Sequence, residues 1–153
     1  MDDFVLLGVC GLYCGACDHY RAFMPESGSL REVCRTRNPA FEECHGCRTD
    51  VLTTTCSDCA LRACAAGHGI AHCGLCAEYP CAQLRAFQHD GRLHHIPVMD
   101  NLEALCEHGT VAWLASQRER WECSCGMPFS WYETDCSRCG APLPSYGPRP
   151  EGR

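Results

Sequence analysis

The chain contains no lysine, and its 13 basic residues are all arginines scattered along 153 positions. Acidic residues number 19, so the formal net charge is −6. A surface of this kind attracts few phosphates, because binding to nucleic acid depends on clustered positive charge. The sequence therefore disfavours nucleic acid as a partner.

Long apolar segments are also missing from the chain. No stretch approaches the roughly 18 apolar residues that a helix needs to cross a bilayer. The apolar run 4–9 is short and follows Asp2 and Asp3, where a secretory signal would carry positive charge. We therefore expect a cytoplasmic protein that has no membrane partner.

The common catalytic motifs are absent as well. The chain has no glycine-rich phosphate loop, no His-Glu-x-x-His helix and no serine nucleophile elbow. An open metal site with three thiolates and one water could act as a Lewis acid, but no motif selects such a site. The sequence leans towards a role that is not enzymatic.

Cysteine, in contrast, is abundant, with 17 residues or about 11% of the chain. Without them the hydrophobic content of 46% falls to near 35%, which leaves a modest core. The count is odd, most cysteines stand in close pairs, and no secretory signal precedes them. These features favour a reduced metalloprotein, whose metals hold the fold, over a secreted disulfide protein.

The densest group of cysteines lies in residues 44–81. It contains three C-x2-C pairs, and the last two pairs belong to a triplet that recurs after 17 residues. This spacing aims two sulfurs at one point and is typical of tetrahedral zinc sites, so eight thiolates would fill two such sites. Either each triplet closes on one metal with help from the first pair, or the pairs cross. The eight are Cys44, Cys47, Cys56, Cys59, Cys64, Cys73, Cys76 and Cys81.

A further triplet, Cys10, Cys14 and Cys17, lies in the motif CGLYCGAC near the amino terminus. Its C-x3-C-x2-C spacing also occurs in radical S-adenosylmethionine enzymes, which hold a four-iron cluster. Those enzymes need most of a parallel barrel, and this chain shows no long alternation of strands and helices. We therefore favour structural zinc here. Cys34 is either the fourth ligand of this triplet or a small apolar residue on a helix.

Three histidines stand among the central cysteines, and each could replace a thiolate ligand. His45, His68 and His72 are nevertheless expected as polar loop residues that face solvent, because the cysteines alone fill the sites. His68 is the best exception, since it closely follows Cys64. Cys106 is expected in the core, as part of the buried face of its helix. A lone reactive thiol is the alternative, which is disfavoured because no base stands near Cys106 in the sequence.

Five short helices are expected between the cysteine motifs, from apolar stripes at helical spacing and from capping residues. They are a helix capped by Ser29 that buries Leu30, Val33 and Cys34; residues 61–66, ended by Gly67; residues 82–88, ended by Gly91; a helix capped by Asp100 that buries Leu102, Leu105 and Cys106; and a helix capped by Thr110 that buries Val111, Leu114 and Ala115. The predicted fold is small, stapled by metals and mainly α, with short strands and irregular loops.

The C-terminal cysteines, Cys123, Cys125, Cys136 and Cys139, predict a zinc ribbon of two knuckles on short strands. The aromatic residues Phe129, Trp131 and Tyr132 would cover its metal. The first knuckle is a tight C-x-C. The predicted organisation is a cysteine-rich domain over 1–120, the ribbon over 121–142 and a flexible tail over 143–153.

The ordered series of motifs resembles a family of small, cysteine-rich bacterial and archaeal proteins of unknown function that are expected to bind zinc and carry a C-terminal ribbon. The resemblance covers about residues 8–140, and it implies metal-binding cysteines but no activity. Cys34 and Cys106 fall outside its pattern, and the tight C-x-C knuckle departs from the usual ribbon. The motifs are CGLYCGAC, CHGC, CSDCALRACAAGHGI, CGLCAEYPC and HGTVAWLASQRERW. The implied ligands are Cys10, Cys14, Cys17, Cys44, Cys47, Cys56, Cys59, Cys64, Cys73, Cys76 and Cys81.

These observations together predict a cytoplasmic protein with about three to four structural zinc ions per chain and an acidic surface for another protein. An iron–sulfur redox or accessory protein is the alternative, and colour would separate the two. A metal-storage protein is a third possibility. Capped helices, apolar stripes and three tryptophans favour a fixed fold over storage.

Overall fold

Seven α-helices and four short 3-10 helices, joined by irregular loops, form the described residues 3–148 of this computed structural model. The α-helices are α1 (Asp18–Arg21), α2 (Leu30–Arg37), α3 (Thr54–Ser57), α4 (Ala60–His68), α5 (Ala82–Gln88), α6 (Val98–His108) and α7 (Thr110–Arg120). The 3-10 helices are Asp3–Leu6, Cys14–Ala16, Cys73–Leu75 and Leu93–His95. Three isolated bridges join Leu7 to Tyr13, Glu122 to Pro128 and Asp135 to Pro142. The prediction of a mainly helical fold with irregular loops is confirmed.

The hairpin of α6 and α7 forms the centre of the fold. Gly109, with φ of 82°, connects the two helices, and Leu102 and Trp113 are almost completely buried, with exposed fractions of 0% and 2%. The helix α6 begins at Val98 after Pro97, so Asp100 lies inside its first turn and does not cap it as predicted. Leu114 is buried as the predicted apolar stripe of α7 implies, but Val111 of the same stripe is 85% exposed, because α7 buries Trp113 together with Leu114.

The smaller helices also depart from the predicted boundaries. Ser29 precedes α2, but its side chain makes no capping hydrogen bond, and Val33 is 40% exposed although a buried face was predicted. The helix α4 continues past Gly67 to His68 and ends at Gly69, whose φ of 64° is left-handed. The helix α5 spans Ala82–Gln88 as predicted, and Gly91 follows its end. The helices α2 and α4 exist as predicted, but the buried face of α2 and the end of α4 differ.

The N-terminal segment of residues 7–17 lies directly against α6. Asn101 Nδ2 donates to the carbonyl oxygen of Gly11 at 2.8 Å, and the Tyr13 ring meets Trp113 edge-on at 6.3 Å. Gly11 has φ of 87°, and a Cβ atom there would lie 2.9 Å from the Val98 carbonyl oxygen. This glycine is required both by its backbone conformation and by the close approach of the helix.

A single core continues from this segment into the C-terminal residues. Trp121, Phe129 and Trp131 are buried in the same cluster as Leu7 and Leu102. The Trp131 N–H donates to the carbonyl oxygen of Ala16 at 2.9 Å, which ties the two segments together. The core therefore shows no break at the predicted boundary between residues 120 and 121.

The first residues of the predicted flexible tail are packed. Leu143 is 1% exposed and its N–H donates to the Thr134 carbonyl oxygen at 2.8 Å, and the Tyr146 N–H donates to the Trp131 carbonyl oxygen at 2.7 Å. The apolar side chains of Leu143 and Tyr146 pack in or against the core, while the division of the chain into a domain, a ribbon and a tail stays a prediction. Residues 149–153 lie outside the described residues. None of the described helices has the length and apolar character needed to cross a membrane.

Candidate metal centre

Four cysteine sulfurs converge in the C-terminal segment and form what we call the four-cysteine site. The Sγ atoms of Cys123, Cys125, Cys136 and Cys139 all lie within 4.8 Å of one another. The Cys123–Cys139 and Cys125–Cys136 sulfur distances are both 3.6 Å. All four thiols are free, and these separations far exceed a disulfide bond of about 2.05 Å. The site could hold a metal ion.

Two tight turns bring these sulfurs together. In the first turn the Cys123 N–H donates to the Met127 carbonyl oxygen and the Gly126 N–H donates to the Cys123 carbonyl oxygen, both at 2.8 Å. In the second turn the Cys136 N–H donates to the Ala141 carbonyl oxygen at 2.8 Å. Gly126 and Gly140 have φ of 83° and 72°, a conformation that glycine adopts without strain. Cys123 therefore belongs to the four-cysteine site despite its tight C-x-C spacing.

The backbone of the second turn favours a thiolate at Cys136. Hydrogen bonds from the backbone of Cys139 and Arg138 lower the pKa of the Cys136 thiol to about 6. Thiolates bind metal ions, and backbone N–H groups aimed at a sulfur stabilise its negative charge. The donor set and its electrostatics therefore suit a soft or borderline cation.

The aromatic residues of this segment pack in two ways. Phe129 and Trp131 are buried in the shared core, where Phe129 meets Trp121 edge-to-face at 5.5 Å. Tyr132 is half-buried, and its hydroxyl hydrogen-bonds to His94 Nδ1 at 2.7 Å. The aromatic residues of the four-cysteine segment thus join it to the helices.

The N-terminal and central cysteines are held side by side by backbone hydrogen bonds. The Cys44 N–H donates to the carbonyl oxygen of His19 at 3.1 Å, and the Cys73 N–H donates to that of Val9 at 2.7 Å. Arg62 Nε donates to the Cys47 carbonyl oxygen at 3.0 Å. The N-terminal triplet therefore lies beside the central pairs, although elsewhere in residues 3–148 no second set of three ligand atoms is within 4.8 Å of one another.

A family comparison covers this cysteine-rich part of the chain. A family model described as a protein of unknown function (DUF3795) matches residues 6–86, which is just over half of the chain. The chain belongs to the DUF3795 family. No curated protein and no solved structure matches it. The DUF3795 match includes all eleven N-terminal and central candidate ligands and ends before the four-cysteine site.

Thiol contacts within the DUF3795 segment link different pairs. The Cys44 and Cys56 thiols hydrogen-bond to each other, which raises the pKa of Cys56 and lowers that of Cys44. Burial raises the pKa of Cys10 and Cys47, and proximity to Cys59 adds to the increase for each. The first central pair therefore divides, with Cys44 towards Cys56 and Cys47 towards Cys10 and Cys59.

The second triplet of the DUF3795 segment, Cys73, Cys76 and Cys81, does not bring its sulfurs within 4.8 Å of one another in residues 3–148. Burial raises the pKa of Cys73 to about 11, and the next contributions come from Cys81, Cys64 and Cys76. Cys73 and Cys76 flank the 3-10 turn Cys73–Leu75, and the Cys81 sulfur accepts a hydrogen bond from the Leu84 N–H at 3.5 Å. Cys64 lies in α4 and is exposed.

The remaining candidates of the DUF3795 segment differ in environment. His45 is exposed and bonds to Glu43, and His68 is exposed at the end of α4, as expected for solvent-facing residues. His72 is instead 4% exposed, and its Nδ1 atom has no hydrogen-bond partner in the described part of the chain. The sequence gives no signal for this burial, since His72 directly precedes a cysteine pair in an irregular loop.

Cys34 and Cys106 occupy different surroundings from the other cysteines. Cys34 is buried and has Asp18 and Glu133 among its charged neighbours. Cys106, expected in the core, is exposed, and its thiol donates to the Gly74 carbonyl oxygen at 3.5 Å. The prediction for Cys106 is wrong because α6 buries Leu102 and Leu105, which leaves the next residue at the edge of that face.

Sequence reasoning also missed Arg48, which ties three segments together. Its Nε atom donates to the Leu7 carbonyl oxygen at 2.9 Å, its Nη2 atom donates to the Ala71 carbonyl oxygen, and its guanidinium lies 4.2 Å above the Phe4 ring. An arginine after a CHGC motif carries no signal for such a role, because its partners are backbone atoms distant in sequence.

Proposed function

We propose that this protein binds zinc at structural sites that hold its fold together, and that it serves as an accessory module for another protein. The observation that carries the proposal is the convergence of the four sulfurs of Cys123, Cys125, Cys136 and Cys139. A tetrahedral ion with Zn–S bonds of about 2.3 Å places its sulfurs about 3.8 Å apart. The 3.6 Å separations of the two closest pairs are near this value.

Zinc sites in the DUF3795 segment form the second part of this proposal. Cys64, Cys73, Cys76 and Cys81 supply one set of four thiolates, which is supported by the electrostatic influence of Cys81, Cys64 and Cys76 on the Cys73 thiol. Closed four-thiolate sets are typical of structural zinc.

The seven remaining thiols supply one or two more sites in which the pairs cross. The Cys44–Cys56 hydrogen bond and the proximity of Cys47 to Cys10, Cys14 and Cys59 support this arrangement. Two ions here would share at least one bridging thiolate, because seven ligands are one short of two closed sets. The proposed total is three to four zinc ions, as predicted from the sequence.

Metal content after anaerobic purification is the direct test. We expect about three to four zinc ions per chain by elemental analysis, and a colourless protein. In the Cys136→Ser variant we expect about one zinc ion fewer, while the matched control Cys106→Ser retains the full content because its thiol is exposed and lies outside the four-cysteine site. Iron and a brown colour in the wild-type protein would contradict the zinc assignment and indicate the iron–sulfur alternative.

The accessory role is supported by surface charge. The formal charge of −6 becomes more negative when zinc is held by thiolates, because each four-thiolate site contributes about two further negative charges. A basic protein surface is the complementary partner, and salt should weaken such a complex. Capture of cell proteins by the metal-loaded protein, followed by elution with increasing salt, tests this role. The same proteins retained equally by chelator-unfolded protein would argue against it.

A further inference from the structure

A cavity of about 210 Å³ lies where the N-terminal segment, α6, α7 and the C-terminal segment meet. Its walls include the rings of Tyr13, Trp121, Trp131 and Tyr146. Pockets for small molecules are typically concave, mostly apolar and supplied with a few polar groups. This cavity uses none of the cysteines proposed to bind metal.

The aromatic walls are fixed by packing and by backbone hydrogen bonds. The Trp131 N–H donates to the Ala16 carbonyl oxygen at 2.9 Å, and the Tyr146 N–H donates to the Trp131 carbonyl oxygen at 2.7 Å. The His94 ring stacks on Trp131 with centroids 4.2 Å apart and planes 13° from parallel. The walls are therefore held in place before any ligand arrives, and aromatic side chains favour flat, apolar rings as partners.

The polar groups of the cavity come from α6 and α7. The Arg120 guanidinium lies 4.3 Å above the Trp121 ring, and its Nη2 atom donates to the Pro144 carbonyl oxygen at 2.7 Å. Gln117 stands three residues earlier on α7 and therefore on the same side of the helix. Asn101 Nδ2 donates a hydrogen bond to the Gly11 carbonyl oxygen, so the amide oxygen of Asn101 is the acceptor that this side chain offers. These contacts hold Arg120 and Asn101 in place.

The charge of the cavity is opposite to that of the whole chain. Within the described residues, no aspartate or glutamate lines it, and Arg120 is its cation. Burial lowers the pKa of His94 to about 3, so this ring is neutral near pH 7. In a protein with a net charge of −6, a cavity with one guanidinium and no carboxylate favours an anion.

We propose that this cavity binds a small planar aromatic molecule that carries one carboxylate, with the ring against the tryptophan and tyrosine walls and the carboxylate at Arg120. The guanidinium is a good partner for a carboxylate because its planar donors match the two oxygens. The inference is independent of the proposed zinc sites.

Four probe molecules test the contribution of the aromatic ring to binding separately from the contribution of the charge. Benzoate, neutral benzamide, the non-planar cyclohexanecarboxylate and acetate are added separately to the metal-loaded full chain, and binding is measured by saturation-transfer NMR. We expect benzoate to bind at least several-fold more tightly than each of the other three, because only benzoate combines a flat ring with a charge. Equal binding of benzoate and acetate would overturn the role of the rings, and absence of benzoate binding would overturn the proposal.

Two substitutions test the named residues. Arg120→Gln should weaken benzoate binding about tenfold and leave benzamide unchanged, while the control Arg85→Gln on α5 leaves both unchanged. Gln117→Phe should fill the cavity and abolish binding, and near-ultraviolet circular dichroism checks that both variants are folded. Wild-type benzoate affinity in Arg120→Gln would overturn the proposal. Zinc content is measured in the same samples, so a failure of this inference is distinguishable from a failure of the proposed function.

Discussion

Individual atoms decide how closely the N-terminal segment approaches α6. Gly11 adopts φ of 87°, and the position of a Cβ atom there is 2.9 Å from both the Val98 carbonyl oxygen and Leu102 Cγ. The sequence shows that a glycine follows Cys10, and ligand loops commonly need one. It cannot show that the reason lies in a helix nearly ninety residues later.

Gly11→Ala is therefore expected to destabilise the protein by about 2 kcal/mol or more, through backbone strain and steric conflict with α6. The matched control is Gly67→Ala in α4, where nothing lies within 4 Å of the added Cβ atom. Gly67→Ala should stabilise the protein by about 0.5 to 1 kcal/mol, because alanine favours helix. Urea unfolding of both metal-loaded variants measures the two effects. Equal stability of Gly11→Ala and the wild type would contradict the close packing.

Protonation of His94 gives a second prediction at this scale. Burial holds the pKa of His94 at about 3 in the folded protein, compared with 6.5 for an unperturbed histidine. Between these values the unfolded chain binds more protons than the folded one. The stability contributed by neutral His94 is thus fully present above pH 6.5 and is lost as the pH falls towards 3.

His94→Gln should reduce this loss, because glutamine does not titrate. From pH 7 to pH 5, the wild type is expected to lose about 1 to 3 kcal/mol more stability than His94→Gln, when both are metal-loaded and unfolded with urea. All other side chains are the same in both proteins, so the difference isolates His94. Parallel stability curves for the two proteins would show that His94 becomes protonated without cost in the folded state.

At the scale of elements, the existence of the helices was predictable, but their buried faces were less so. In α7, Val111 with Leu114 and Thr110 with Trp113 and Leu114 are both compatible with helical spacing. The structure buries Trp113, because the larger ring removes more apolar area from water. The start of α6 differs from the predicted start for a related reason. The helix begins at Val98, which is itself completely buried, so packing overrides the capping signal of Asp100.

This assignment of faces gives a prediction on the α6–α7 hairpin. Leu102→Ala in α6 should cost about 2 to 5 kcal/mol, because the side chain has no solvent exposure and its removal leaves a cavity. Val111→Ala, at a position that is 85% exposed, should change stability by no more than about 0.5 kcal/mol. Thermal or urea unfolding measures both. A large loss of stability in Val111→Ala would indicate that the face predicted from the sequence is the buried one.

The loops between the helices were the least predictable part of the candidate sites. Spacing indicated which cysteines could bind metal, and the four-cysteine site of residues 123–139 was predicted as a set. Spacing could not indicate that Cys44 contacts Cys56 while Cys47 faces the N-terminal triplet. Thiol pairing across segments depends on backbone contacts such as that from Cys73 to Val9, which no local pattern encodes.

At the scale of the whole molecule, the four-cysteine segment is an integral part of the core. The core cluster of Leu7 and Leu102 also contains Phe129, Trp131 and Leu143. The Trp131 N–H donates a hydrogen bond to the Ala16 carbonyl oxygen. The sequence suggested a separate ribbon because its cysteines are self-contained. Its aromatic residues pack in the core that it shares with the helices, and this packing couples the proposed metal site to the rest of the fold.

Loss of metal from the four-cysteine site should therefore loosen the whole molecule. Cys139 is exposed, so Cys139→Ser removes one ligand with little change in packing. Hydrogen exchange followed by mass spectrometry should show lost protection in 121–146 and also in 7–17 and 98–120, because these segments share one core. The control Cys106→Ser should keep wild-type protection in all three segments. If lost protection in Cys139→Ser is confined to 121–146, the segment is an independent unit and its contacts with Ala16 and the α6–α7 hairpin contribute little to stability.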